Sequence, residues 1–184
     1  MCLASVGGGA PVNLASLGGT YDLASMLLLK NLLFTLIVPG TAGLYAPLLL
    51  GRGHDPASGP VLLLAIAILA IGAAIYAWCV WDFANFGRGT PAPIDAPRRL
   101  VVRGLYRYTR SPRYVGVLTV ILGWAVLYQA TTVLLYAICV GVCFHLFVVL
   151  YEERHLARQF GAEYHDYRAN VGRWLPHFRW HHAA

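Results

Sequence analysis

The chain has 184 residues, of which 58% are apolar and 12% charged, and its mean hydropathy is +0.59. Soluble domains are about a quarter charged, so this composition excludes one; the apolar residues come in long blocks with the charge at their edges, as in a membrane protein. Fourteen basic residues against eight acidic give a formal +6, and thirteen of the fourteen are arginine, which suits lipid phosphate, anionic ligands or membrane topology rather than nucleic acid.

Residues 1–22 open with a Gly-, Ala- and Ser-rich stretch that has no Lys or Arg ahead of an apolar core. They read as a flexible leader rather than a cleaved signal peptide. Asp22 is placed to cap the helix that follows, and residues 23–50 form the first spanning candidate, with a kink expected at Pro39-Gly40. Lys30 reads as an interfacial anchor. Residues 51–60 (GRGHDPASGP) are turn chemistry. Residues 61–83 form the second span, in which Asp82 is the single charge and Trp78 and Trp81 are interfacial anchors.

Residues 84–113 then carry seven arginines (88, 98, 99, 103, 107, 110 and 113) against the single acid Asp95. The positive-inside rule makes this loop cytoplasmic, and Pro91, Pro93 and Pro97 keep its first half extended. A third apolar run covers 114–128, starting at the interface with Pro112 in a helix's first turn. A fourth runs from Val133 to Tyr151, and the uncharged Gln129–Thr132 between them predicts a hairpin. Beyond it, Leu156, Phe160, Tyr164 and Tyr167 recur every three to four residues among charges, the pattern of an amphipathic helix. Four spans around a cytoplasmic middle loop predict an all-α polytopic protein of bacterial inner-membrane type, with both termini cytoplasmic.

Cys2, Cys79, Cys139 and Cys143 show neither a zinc spacing nor a disulfide framework. Cys139 and Cys143 share a helix face and read as small buried packing residues. Gly72, with Ala70, Ala73 and Ala74, permits close helix contact within one chain or between two, and the sequence leaves the oligomeric state open. No internal repeat is present. His155 and His165 have no carboxylate at ligand spacing, so no metal site is expected.

The chemistry concentrates at one membrane face, in GLYRYTRSPRYVG (104–116) and in the acidic pair Glu152-Glu153 with the tail beyond it. Here the sequence resembles the integral-membrane methyltransferases that include isoprenylcysteine carboxyl methyltransferase and the phospholipid methyltransferases. The resemblance rests on Gly104, Tyr106, Arg110, Pro112, Tyr114 and Gly116. It continues, after the hairpin, with Glu152, Glu153, Leu156, Phe160, Gly161, Tyr164, Tyr167, Arg173 and Pro176. Ser111 stands where the family usually has His. The match covers about residues 86–178 and divides the chain into the leader 1–22, two N-terminal spans in 23–83 and a methyltransferase-like region in 84–184.

The resemblance implies S-adenosylmethionine as cofactor and a membrane lipid, or a lipidated or hydrophobic small molecule, as methyl acceptor. It implies cofactor binding by Tyr106, Arg110, Ser111, Pro112, Tyr114, Gly116 and Glu152. Tyr106 and Tyr114 suit adenine stacking, Arg110 suits a carboxylate, and Glu152 or Glu153 suits ribose hydroxyls or an amine. Arg173 is the candidate for orienting an anionic acceptor, with Glu153 as its partner. His145, inside the fourth span on the Glu152 face, either faces the acceptor or bonds another helix as a core histidine. The Ser111 replacement removes an imidazole and leaves a hydroxyl able to bond a ligand or cap the helix at Pro112. Two other readings share the architecture: a steroid-reductase-like membrane enzyme using reduced nicotinamide, and a non-enzymatic membrane scaffold of the same fold.

Overall fold

The computed structural model describes residues 39–82, 100 and 102–175. Among them every regular element is helical: α1 (Thr41–Leu50), α2 (Pro60–Asp82), α3 (Pro112–Tyr128), α4 (Thr131–Phe147) and α5 (Glu153–Asn170), with a 3-10 turn at Gly104–Arg107. Two helices are long and apolar enough to cross a membrane. One is α2, at 23 residues, and the other is the continuous helix Thr131–Phe160, which joins α4 to the start of α5. The 17 residues of α3 reach about 25 Å. Most of the first expected span, the Asp22 cap and the arginine-loop residues 83–99 lie outside the described residues.

The kink expected at Pro39-Gly40 takes another form. Gly40 has ordinary helical angles, and the irregularity follows it as a π turn over Thr41–Tyr45. Carbonyls of this wider turn take side-chain donors from neighbouring helices: Tyr136 donates to Ala42 O at 3.1 Å and Trp124 Nε1 to Gly43 O at 3.0 Å. These two bonds hold α1 against α3 and α4.

The α2–α3 contact follows from residue size. Ala65, Gly72 and Cys79 are buried on α2 at seven-residue intervals, which keeps them on one face. A Cβ on Gly72 would lie 2.7 Å from Val120 N and 2.9 Å from Gly116 O, so the two backbones touch where neither carries a side chain. Gly123 repeats the device two turns on, with Leu69 Cγ 2.7 Å from where its Cβ would be. The close contact expected at Gly72 is thus made within one chain.

Gln129, in the left-handed conformation at φ 48°, ends α3, and α4 begins two residues later. Val117 and Ile121 of α3 pack with Ala130 of the turn and with Val133 and Ala137 of α4 as the main apolar core. The other side of α4 meets no described element: Leu135, Ile138, Val142 and Leu146 are exposed. Cys139 and Cys143 belong to that outward side and are exposed, which corrects the expectation that they pack inside. Periodicity put them on one face without saying which face meets α3.

Candidate functional site

At the end of α4 the helix widens into a second π turn, Val148–Glu152, before α5 resumes with Glu153. Consecutive helical residues point about 100° apart, so Glu152 and Glu153 address different neighbours. Glu152 faces the start of α3. Its Oε1 accepts from Arg113 at 2.9 Å and its Oε2 from the Tyr114 hydroxyl at 2.8 Å, while Arg113 also donates to Tyr114 Oη at 2.7 Å. The Arg113 guanidinium carbon lies 4.6 Å from the Tyr114 ring centroid, a cation–π distance.

Glu153 is buried, its side chain 8% exposed. Arg173 forks onto both of its oxygens at 2.7 and 3.0 Å, and Arg110 donates to Oε1 at 2.9 Å. Arg110 lies 3.4 Å from the Tyr164 hydroxyl, which can accept a second bond from it. Arg168 stands at 4.0 Å with half its side chain in the open. The Nε of Arg110 is buried without a hydrogen-bond acceptor among the described residues.

Two short segments fix the arginines. Thr109 and Gly172 form an isolated parallel bridge: Arg110 N donates to Gly172 O at 2.9 Å and the Thr109 hydroxyl to Arg173 O at 2.8 Å. The chain entering α3 and the chain leaving α5 are therefore held side by side, with Arg110 and Arg173 reaching the same carboxylate. Behind them the Tyr167 hydroxyl donates to Tyr106 O at 2.7 Å, tying α5 to the 3-10 turn. Burial raises the Tyr106, Tyr164 and Tyr167 phenols above the ordinary range, so all three remain protonated. The hydrogen bond to Glu153 raises Arg173 further and keeps it charged.

An aromatic wall stands beside Glu152. The Tyr114 ring lies 4.8 Å from Phe144 and 6.4 Å from Trp174, and Trp174 stacks on His145 at 6.2 Å. Trp174 Nε1 donates to His145 Nδ1 at 3.2 Å, so His145 bonds the segment after α5 rather than another helix, and it is exposed.

Of the residues singled out in the sequence, Arg110, Glu153 and Arg173 meet in one ion cluster, and Tyr114 and Glu152 meet in an adjoining one. Tyr106 is buried behind them. Gly116 lies in the α2–α3 crossing. Ser111 and Pro112 are buried at the start of α3, and Ser111, though at the N-cap position, makes no side-chain capping bond. Pro176 lies outside the described residues. Arg113, Thr109, Phe144 and Trp174 had no assigned place. Arg113 was visible as the cation beside the Ser-Pro step, and Trp174 as the neighbour of Arg173.

A family model described as phospholipid methyltransferase matches residues 61–163, more than half of the chain. No curated protein and no solved structure matches it.

Proposed function

The chain belongs to the phospholipid methyltransferase family, and on that premise we propose that it transfers a methyl group from S-adenosylmethionine to a membrane-embedded or lipid-like acceptor. The observation that carries the proposal is the adjacent pair Glu152 and Glu153, each bound to a different guanidinium at one end of the α3–α4 hairpin. S-adenosylmethionine supplies a methyl carbon already activated on a sulfonium, so the protein has to align two reactants and exclude water, a proximity effect worth several kcal/mol. The side chains fit that cofactor. Arg110 Nε is a buried donor with no acceptor, suited to a carboxylate, and Tyr114, Phe144 and Trp174 offer faces for an adenine or a sulfonium.

In this reading Glu152 accepts from ribose hydroxyls or an amine, and Arg113 and Tyr114 hold it in place. Glu153 and Arg173 orient the acceptor, Arg173 through the edge of its guanidinium that Glu153 leaves free. Tyr106 closes the cofactor side from behind, Ser111 and Pro112 set where α3 starts, and Gly116 lets α2 close against it. His145 lies on the acceptor side. The acceptor is either an isoprenylcysteine-type carboxylate or a phospholipid-type amine.

The test is isothermal titration of the purified full chain with S-adenosylhomocysteine, with a reduced nicotinamide nucleotide as the parallel ligand. Micromolar binding of the first alone is expected, lost in Arg110→Ala and Glu152→Ala. Binding of the nicotinamide alone would replace the proposal with a reductase. Binding of neither by folded protein would replace it with a scaffold.

A further inference from the structure

Asp82 is the one charged residue of α2, and its position is hard to account for by folding. It stands in the last described turn of the helix. The residue is 6% exposed, and its Oδ2 is buried with no hydrogen-bond donor among the described residues. A buried anion in that state is a heavy penalty unless something pairs with it. Arg113, which like Asp82 acts electrostatically on Cys79, is bonded to Glu152 and Tyr114.

Beside the carboxylate there is room for glycine alone. Gly104 stands against it in the left-handed conformation at φ 52°; a Cβ there would overlap Asp82 Oδ2 and come within 2.8 Å of Trp78 Nε1. Any residue but glycine would therefore crowd that oxygen. Trp78 precedes Asp82 by four residues on the same helix face, and its indole is 58% exposed. Gly104 opens the 3-10 turn that carries Tyr106, and Tyr106 packs on Cys79 within electrostatic reach of Arg113 and Glu152. Asp82 thus lies at the same end of the molecule as the two ion clusters, one layer behind them.

We propose that Asp82 and Trp78 form a subsite for an alkylammonium group, the carboxylate pairing with the charge and the indole face taking its carbon substituents. Carboxylate beside aromatic ring is the chemistry that recognises such cations. Resting on the methyltransferase reading, the ammonium has two possible sources, the amino-acid end of the cofactor and an amine acceptor.

The test compares wild type with Asp82→Asn, as full chains in phosphatidylcholine nanodiscs, by titration with S-adenosylhomocysteine and separately with dodecylphosphoethanolamine. Loss of a hydrogen bond to a charged group weakens binding at least about tenfold. That loss is expected for one probe, with an unfolding temperature equal to or above wild type because an unpaired buried charge has gone. Loss confined to S-adenosylhomocysteine assigns the ammonium to the cofactor, and loss confined to dodecylphosphoethanolamine assigns it to the acceptor. Unchanged affinity for both probes, or weakened binding with a lowered unfolding temperature, overturns the subsite. If Asp82→Asn does not fold, Gly104→Ala, which crowds Oδ2 and leaves the carboxyl in place, must weaken one of the two probes, and unchanged affinity for both overturns the proposal. Wild type that binds dodecylphosphoethanolamine but not S-adenosylhomocysteine defeats the methyltransferase reading and leaves Asp82 to be judged on dodecylphosphoethanolamine. Wild type that binds neither defeats both.

Discussion

Glu153→Gln removes one charge and almost no volume, so its effect isolates the electrostatics of the cluster. Glu153 accepts three hydrogen bonds of 2.7 to 3.0 Å from Arg110 and Arg173. With the charge gone, two guanidiniums face each other across a neutral amide whose NH2 group is itself a donor. The Arg110 side chain is 11% exposed and cannot turn to water, whereas that of Arg173, at 25%, partly can. Breaking a buried pair by removing one partner costs 3 to 5 kcal/mol. The lower end applies here because Arg173 recovers some hydration and Arg110 still has Tyr164, which gives a destabilisation of about 3 kcal/mol. Arg168→Gln removes a contact at 4.0 Å from a half-exposed side chain and should cost about 0.5 kcal/mol or less. Denaturant unfolding in micelles followed by circular dichroism measures both variants. Arg173→Gln added to Glu153→Gln should show a coupling of about 1 to 3 kcal/mol. Equal stability of Glu153→Gln and wild type, or of Glu153→Gln and Arg168→Gln, would refute the view that the cluster holds α5 to α3.

Gly72→Leu drives a side chain into Val120 N and Gly116 O, both backbone atoms that cannot yield; it should cost at least about 2 kcal/mol, while Ala73→Leu, on the exposed side of α2, should leave unfolding unchanged. Tyr167→Phe deletes the buried 2.7 Å bond to Tyr106 O and should cost about 1 to 2 kcal/mol. Burial raises the Tyr167 phenol above its ordinary value of 10.0, so its contribution is complete below about pH 10 and lost as pH rises toward the folded-state value. A stability profile from pH 7 to 11 should therefore fall less steeply at its alkaline end in Tyr167→Phe than in wild type.

The helical class was legible because long apolar runs leave the backbone no other way to satisfy its hydrogen bonds. The partnership of Arg173 with Glu153 was legible too, through the resemblance to the membrane methyltransferases, whose motif takes in both residues. What periodicity does not carry is which side of a helix meets protein. Cys139 and Cys143 show this, since the same spacing serves a buried face and an outward one. Gly116 makes a related point. In the sequence it belongs to the Tyr114 motif, whereas in three dimensions it is the place where α2 presses on α3. The pairing of Trp174 with His145 joins residues 29 apart through a reversal after α5 that no local pattern announces. The π turns were likewise unreadable, because they arise from how neighbouring helices seat against one another.

The second π turn has a consequence for insertions and deletions. A π turn is an α-helix that has taken in one extra residue, and here it falls between the apolar barrel of α4 and the two acids. Deleting Val149 would remove the surplus residue and let the helix run on as a plain α-helix, with α4 and everything after it still in phase. Straightening the turn with all its residues kept would instead carry everything after it round by about 100°. Glu152 would then leave Arg113, and Glu153 would leave Arg110 and Arg173, while helix content survived. The angular phase of the site is thus stored in the wide turn itself, and a chain that kept every side chain named here but wound that turn as an ordinary α-helix would have no site.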